Sequence, residues 1–357
     1  MQIEKNLEKL NIYPKEKLNL EEKIHIARNV SEMLCENIEE LSESYNSINM
    51  RLLNCDMYYA DIDEKFGKVI YYYKNNAIYL SANIDEINQE QLLHECIHYL
   101  QNFTTVMQSK QRAGLTNFEE FKIIGLGINE AITAYIAAMA MEKRPTRIED
   151  EKISIVTNSN TYYKYMTSLI HQIVFLMGKK EAILSAMNSD DEFEENLYNT
   201  FEENTDKILK NFDILLDENN NENKDEEKII DLYLQTQELV YKTYFKKTCK
   251  LVTTKDEVDE IVQKVFDYEK IVGRVLENSG ENNGIIVENA INSRLQYNKN
   301  FDDFINEMDD KFYKKYIEID RKIVKNLPVV KKKSFINKII DKIKKCIKGK
   351  QRKNLNN

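Results

Sequence analysis

The chain has few of the residues that interrupt helices or cross-link secreted domains. Its 357 residues include nine glycines, three prolines and no tryptophan. Scarce helix breakers, combined with many Glu, Lys, Leu and Ile residues, predict long helices. The five cysteines are scattered, odd in number and never spaced as CxxC. They therefore indicate reduced thiols rather than a disulfide framework or a cysteine-ligated zinc site.

Long apolar runs are also missing. No stretch approaches the roughly 18 uninterrupted apolar residues that a membrane span needs. The first ten residues carry charges of both signs and lack the apolar core of a secretory signal. We therefore expect a cytoplasmic protein, and export by a route that needs no such signal is the alternative.

Charge is unevenly distributed along the chain. The net charge is −9, yet residues 329–357 contain eleven basic residues and one acidic residue, so this tail carries +10 and the rest −19. An acidic body argues against nucleic acid as a partner.

In the tail, isoleucines fall on one helical face with lysines around them: Ile336, Ile339, Ile340, Ile343 and Ile347. This pattern predicts a basic amphipathic helix that binds an anionic membrane surface or an acidic protein. A tail folded back on the acidic body is the alternative.

The pattern of apolar residues divides the chain into four parts. We predict an N-terminal helical segment over 1–50, a catalytic domain over 51–190, a helical domain over 191–328 and the basic tail over 329–357. The polar stretch 217–227 is the best linker candidate within the third part. The expected fold class is α+β and mostly helical, with a small antiparallel sheet followed by a helical bundle.

The sheet is expected in the tyrosine-rich stretch 55–85. β-forming residues on both sides of Asn75 and Asn76 predict a hairpin, and residues 57–62 predict a third strand. From Asp85 onward the sequence predicts almost only helices.

His94-Glu95-Cys96-Ile97-His98 is an HExxH motif. Residues four apart lie about 40° apart around a helix and one turn along it, so both imidazoles can bind one metal ion. Glu95 lies beside them and can accept the proton of a metal-bound water. Cys96 belongs to the apolar face of the same helix, so we expect it to pack rather than to bind metal.

A catalytic zinc ion needs three protein ligands and one open position. The metzincin extension is absent, because Gln101 and Thr104 occupy the positions of its glycine and third histidine. The best third ligand is Glu130, 32 positions after His98 and at the start of an apolar helix. A carboxylate there needs a partner, which a metal ion supplies. The alternative is an exposed first-turn glutamate that the helix dipole favours.

The segments LLHECIHYLQ and GINEAITAYIA together resemble small bacterial gluzincins, in which HExxH is followed by an Asn-Glu-x-x-Thr-like motif. The later stretch 169–187 resembles the following helix of that family, which ends in a glycine. The resemblance covers about residues 55–190. It implies a zincin-like core and a Zn²⁺ ion held by His94, His98 and Glu130, with Glu95 as the general base of a peptidase.

The resemblance also implies a substrate-aligning strand and an oxyanion donor. The strand before the HExxH helix would lie at the sheet edge and bind the peptide main chain, which assigns this role to Ile78 and Leu80. The oxyanion donor would be a histidine or a tyrosine. The candidates are His171, Tyr135, Tyr162 and Tyr163, among which the sequence does not decide.

Two other functions compete with an ordinary peptidase. One is a regulatory protease of a mobile element, of the anti-repressor type, although the sequence contains no basic recognition helix for DNA. The other is a non-catalytic interaction protein with a structural zinc. Structural sites have four protein ligands, and the sequence offers three good ones.

Overall fold

The computed structural model describes residues 2–102, 111–119, 122–149, 153–159, 163–272 and 284–325. The chain divides into two compact units. The first contains the residues up to Tyr244 together with Tyr268–Asn298, and the second contains Phe245–Asp267 and the residues from Lys299 onward. The expected boundary near residue 190 does not separate these units, because residues 191–244 belong to the same unit as the HExxH motif. The basic tail, 329–357, lies outside the described residues.

Helices make up most of the described chain, as its composition predicts. In chain order they are α1 (Gln2–Lys9), α2 (Leu20–Asn37), α3 (Tyr45–Asn54), α4 (Gln89–Gln101), α5 (Leu126–Ala140), α6 (Lys164–Met177), α7 (Lys179–Asn188), α8 (Glu192–Phe201), α9 (Thr205–Asn220), α10 (Glu226–Leu251), α11 (Lys255–Ile271) and α12 (Gly284–Lys325). Within the predicted linker, 217–227, α9 extends to Asn220 and α10 begins at Glu226, so five residues separate the two helices. None of the described helices is long and apolar enough to cross a membrane.

The strands form one four-stranded sheet and two small sheets. They are β1 (Ile12–Lys17), β2 (Asp56–Ile62), β3 (Val69–Tyr72), β4 (Ala77–Leu80), β5 (Gln111–Ala113), β6 (Thr116–Glu119), β7 (Lys122–Ile124), β8 (Thr146–Glu149) and β9 (Ser154–Thr157). The strand order of the large sheet is β1-β2-β4-β3. The pair β2–β4 is parallel, and the other two pairs are antiparallel. The β3–β4 hairpin and the third strand are thus confirmed, while the expectation of a purely antiparallel sheet is wrong.

Two regions predicted to be helical contain strands. β1 lies in the N-terminal segment and pairs with β2. β5 to β9 follow α4 and form the two small sheets. The described fold is therefore α+β and mostly helical, but its strands are spread over a longer part of the chain than the sequence indicates.

Helix α4 packs on the large sheet and on the helices α3, α5 and α7. One of its faces packs on β3 and β4, and α5 packs beside it. Leu93, Cys96, Ile97 and Leu100 are fully buried on its apolar face. Burial of each such aliphatic side chain contributes roughly 1.5–3 kcal/mol. This face fixes the rotation of α4 about its axis, so that the motif's histidines point toward α5.

Candidate metal centre

The two histidines of the motif project from α4 toward the same point. The helix begins after Asn88, whose side chain accepts a hydrogen bond from the Glu90 backbone N–H at 2.9 Å. His94 and His98 are one turn apart, and their Nε2 atoms are 3.0 Å from each other. The two rings are nearly perpendicular, with centroids 4.6 Å apart.

Glu130, in the first half of α5, supplies the third group. Its Oε2 lies 3.2 Å from His94 Nε2, and its Oε1 lies 3.2 Å from His98 Nε2. In the part of the chain that the structure describes, these three side chains form the single His, Cys, Asp or Glu cluster suited to a metal ion. Zinc–ligand bonds of about 2.0–2.1 Å at tetrahedral angles place ligand atoms about 3.3 Å apart. The observed triangle therefore fits a tetrahedral metal site with one position left for a non-protein ligand.

Close backbone packing fixes the start of α5. The backbone N–H of Gly127 donates to Asp213 Oδ1 at 2.8 Å, so that a carboxylate of α9 caps α5. A β-carbon at Gly127 would lie 2.2 Å from the Phe212 carbonyl oxygen. Only glycine allows this approach, and the approach sets the position of Glu130 three residues later.

Charge–charge interactions are strong in this centre. Burial alone would lower the pKa of His98, but the Glu130 carboxylate raises it to about 9. Burial alone would raise the pKa of Glu130, but the charge on His98 and the hydrogen bonds from both histidines hold it well below its usual range. Each shift favours a positive charge beside Glu130. A divalent cation supplies that charge without an added proton on His98.

Glu95 lies next to the triangle but is not part of it. Its Oε2 accepts a hydrogen bond from the Tyr71 backbone N–H at 2.8 Å, so β3 holds the carboxylate beside the centre. Burial raises the pKa of Glu95, and the charges of His94 and His98 partly offset this effect. A carboxylate with a raised pKa is suited to accept and return a proton near neutral pH. Cys96 is fully buried and serves as packing, as predicted.

The expectation that residues 77–83 form an edge strand is wrong. β4 lies between β2 and β3, so both of its main-chain edges are already paired. Ile78 and Leu80 are fully buried, so their side chains are core residues and offer no surface to a substrate. The edge strand beside α4 is β3, which the sequence places in the hairpin without showing its position in the sheet.

Two of the candidate oxyanion donors, Tyr135 and His171, contact each other. Tyr135 is five residues after Glu130, which places it about 140° around α5, and its ring stacks on His171 with centroids 5.9 Å apart. Burial raises the pKa of Tyr135 to about 12 and lowers that of His171 to about 4. Tyr163 lies just before α6 in the left-handed backbone region. Tyr162 lies outside the described residues.

No local sequence pattern predicts two of the contacts that support the site, those of the Tyr71 N–H and the Asp213 carboxylate. The Tyr71 backbone N–H contacts Glu95, and the Asp213 carboxylate contacts the first turn of α5, both through pairings of distant segments. Asn129, the residue before Glu130, lies inside α5, whose preceding residue is Gly125; its Nδ2 donates to Gln101 Oε1 at 3.1 Å. Comparisons with protein-family models, curated proteins and solved structures gave no match.

Proposed function

We propose that the protein is a zinc-dependent peptidase whose metal ligands are His94, His98 and Glu130. The observation that carries this proposal is the convergence of two Nε2 atoms and one carboxylate within 3.0–3.2 Å of one another. Two imidazoles and one carboxylate are a ligand set typical of catalytic zinc in proteases. In this proposal the α4–α5 pair is the centre of a zincin-like core.

The accessibility of the centre supports a catalytic rather than a structural metal. The side chains of His98 and Glu130 are 13% and 18% exposed, whereas that of His94 is 4% exposed. A structural zinc site is closed by four protein ligands. Among the described residues no fourth His, Cys, Asp or Glu joins the cluster. A water molecule and a substrate carbonyl can therefore approach from the exposed side.

The chemistry divides between the ion and Glu95. A bound zinc ion supplies a Lewis acid that lowers the pKa of water and polarises the scissile carbonyl. Glu95 accepts the proton of the attacking water at its carboxylate and donates it to the departing amine. The Tyr71 N–H orients this carboxylate in the absence of substrate. The peptide bond gains one water molecule, and the proton that Glu95 accepts leaves with the amine.

In this proposal the edge strand β3, rather than β4, aligns the substrate. It is the edge strand of the large sheet that packs next to α4, where the side chains of Gln91 and Glu95 bond part of its main chain, and its Tyr71 N–H contacts the general base. An extended peptide can add to such an edge by main-chain hydrogen bonds. In this proposal the scissile bond therefore lies between β3 and the metal triangle.

The proposal is tested by incubating the full chain with a mixture of synthetic peptides and identifying new termini by mass spectrometry. We expect cleavage that stops when a chelator removes the metal and returns when zinc is added. A protein that holds one zinc per chain but cleaves no peptide in this mixture or in unfolded proteins would contradict the peptidase function and leave the metal site intact.

A further inference from the structure

Gln101, the last residue of α4, contacts both helices that carry the metal ligands. Its side chain is fully buried. Its Oε1 lies 3.1 Å from His98 Nδ1 and 3.1 Å from Asn129 Nδ2. Its Nε2 donates to Thr133 Oγ1 at 2.9 Å. The Gln101 amide thus connects His98 of α4 with Asn129 and Thr133 of α5, the helix that carries Glu130.

This contact determines which nitrogen of His98 can bind a metal ion. An amide oxygen only accepts hydrogen bonds, so His98 must present an N–H at Nδ1. A neutral imidazole has one N–H, and its lone pair is then on Nε2. Nε2 is the atom that lies 3.0 Å from His94 Nε2 and 3.2 Å from Glu130 Oε1.

The hairpin turn between β5 and β6 closes over the amides. The backbone N–H of Leu115 donates to Asn129 Oδ1 at 2.8 Å. Gly114 has a φ of +57°, and a β-carbon there would lie 2.0 Å from Asn129 Oδ1 and 2.8 Å from Gln101 Cδ. The backbone of the turn therefore packs directly on the two amides. With the hydroxyl of Thr133 on the other side, Gln101 has little freedom to rotate.

We propose that Gln101 is a positioning residue of the metal centre: it holds His98 as the tautomer with a free Nε2 and fixes the distance between the His94–His98 pair and Glu130. The inference rests on the proposed metal site. Groups that hydrogen-bond to a metal ligand set the orientation of that ligand and the affinity for the metal. Here the uncharged side chain of Gln101 acts directly on His98 of α4 and, through Asn129 and Thr133, on the helix that carries Glu130.

Gln91 provides a matched control. It is a buried glutamine on the same helix, and its Oε1 accepts from the Lys68 backbone N–H at 3.0 Å while its Nε2 donates to the Val69 carbonyl at 3.1 Å. It therefore links α4 to β3 and has no hydrogen bond with a ligand. If Gln101 only joined helices, its loss and the loss of Gln91 would have the same consequences.

The experiment measures the zinc Kd of the full chain by competition with a chromophoric chelator, and the visible absorption spectrum of the cobalt-substituted protein. In Gln101→Leu we expect zinc affinity to fall by roughly 10–100-fold and the cobalt spectrum to change. Gln101→Glu keeps an acceptor oxygen for His98, so we expect both measurements to return toward wild type. Gln91→Leu is expected to lower the melting temperature of the metal-free protein and to leave both measurements unchanged.

The outcomes separate this inference from the function it rests on. A wild-type protein that binds no zinc would overturn the metal site and this inference with it. Zinc binding by wild type with an unchanged Kd and cobalt spectrum in Gln101→Leu would overturn the role of Gln101 alone. If Gln101→Leu does not fold, Thr133→Val removes the hydroxyl that holds the amide. An unchanged cobalt spectrum and an unchanged zinc Kd in Thr133→Val would then contradict the inference.

Discussion

Two buried polar clusters lie in the first compact unit, and they differ in what their atoms point toward. The Gln172 cluster consists of Ser168, Gln172, Tyr233, Gln237 and Tyr268. In it, Gln172 Oε1 accepts from Tyr268 at 2.7 Å and from Gln237 at 3.0 Å, while the Tyr233 hydroxyl lies 3.1 Å from Ser168 Oγ. Each donor meets an acceptor, and no member carries a charge.

The metal centre is equally close-packed, but its acceptors point toward one another. Two imidazole nitrogens and a carboxylate surround one point at distances of 3.0–3.2 Å. When both rings are neutral, these atoms need a cation between them. Buried polar groups therefore do not by themselves mark a functional site, whereas acceptors that converge without enough protons indicate a metal ion. The following predictions test this difference.

The largest expected effect is on hydrolysis in Glu95→Gln. The amide cannot accept the water proton, so we expect peptide cleavage to fall by about 10²–10⁴-fold. Zinc content stays at one per chain, because Glu95 is not a ligand. Cleavage rates are measured on the same peptide in both proteins. A variant with wild-type activity would rule out Glu95 as the general base.

Gly127→Ala is expected to affect the metal centre through the backbone. The added methyl meets the Phe212 carbonyl oxygen, and such overpacking costs about 1–3 kcal/mol. We expect both a lower free energy of unfolding and weaker zinc binding, because α5 must shift away from α9. Denaturant unfolding and zinc titration measure the two effects. Leu126→Ala, at an exposed position in the same turn, serves as control and should change neither.

The buried His171 is expected to make the protein sensitive to acid. Burial lowers its pKa from 6.5 to about 4, so between these values the unfolded chain binds a proton that the folded chain excludes. The resulting penalty becomes small above pH 6.5, grows as the pH falls toward 4 and amounts to roughly 2 kcal/mol near pH 5.

In His171→Leu we therefore expect a shallower loss of unfolding free energy between pH 6.5 and 4. His25→Gln, which replaces an exposed histidine, is the control for the loss of one imidazole. Urea titrations at a series of pH values measure the slopes. Equal slopes in wild type and His171→Leu would show that His171 does not titrate as its burial implies.

The smallest expected effect is that of Tyr233→Phe in the Gln172 cluster. Loss of one neutral hydroxyl costs about 1 kcal/mol of unfolding free energy. Zinc affinity should stay unchanged, because no member of this cluster belongs to the proposed ligand set His94, His98 and Glu130. A Tyr233→Phe protein that binds zinc more weakly than wild type would show that the two clusters are coupled.

The three candidate metal ligands were predictable because their signal is local. HExxH places two histidines on one helical face whatever the tertiary structure, and Glu130 begins an apolar helix where a lone carboxylate is costly. The β3–β4 hairpin has a similarly local signal in the Asn75-Asn76 turn between β-forming residues. In each case, residues a few positions apart contain the necessary information.

The edge strand and the partners behind the ligands were not predictable in this way. β4 lies inside the sheet because β2 pairs with it in parallel, and no local pattern reveals that pairing. β1 was missed because one of its six residues is buried and Pro14 interrupts it, so it lacks the alternation of a half-buried strand. Tyr71 contacts Glu95, and Asp213 contacts the Gly127 backbone at the start of α5. Only the tertiary structure creates these two contacts.

The central claim is that one divalent ion binds between His94, His98 and Glu130. The most direct test is the zinc content of the purified full chain beside Glu130→Ala and Tyr233→Phe, after equilibration with zinc and gel filtration. We predict one zinc per chain in wild type and in Tyr233→Phe, and little or none in Glu130→Ala. An equal zinc content in Glu130→Ala and wild type, or no zinc in wild type, would contradict the claim.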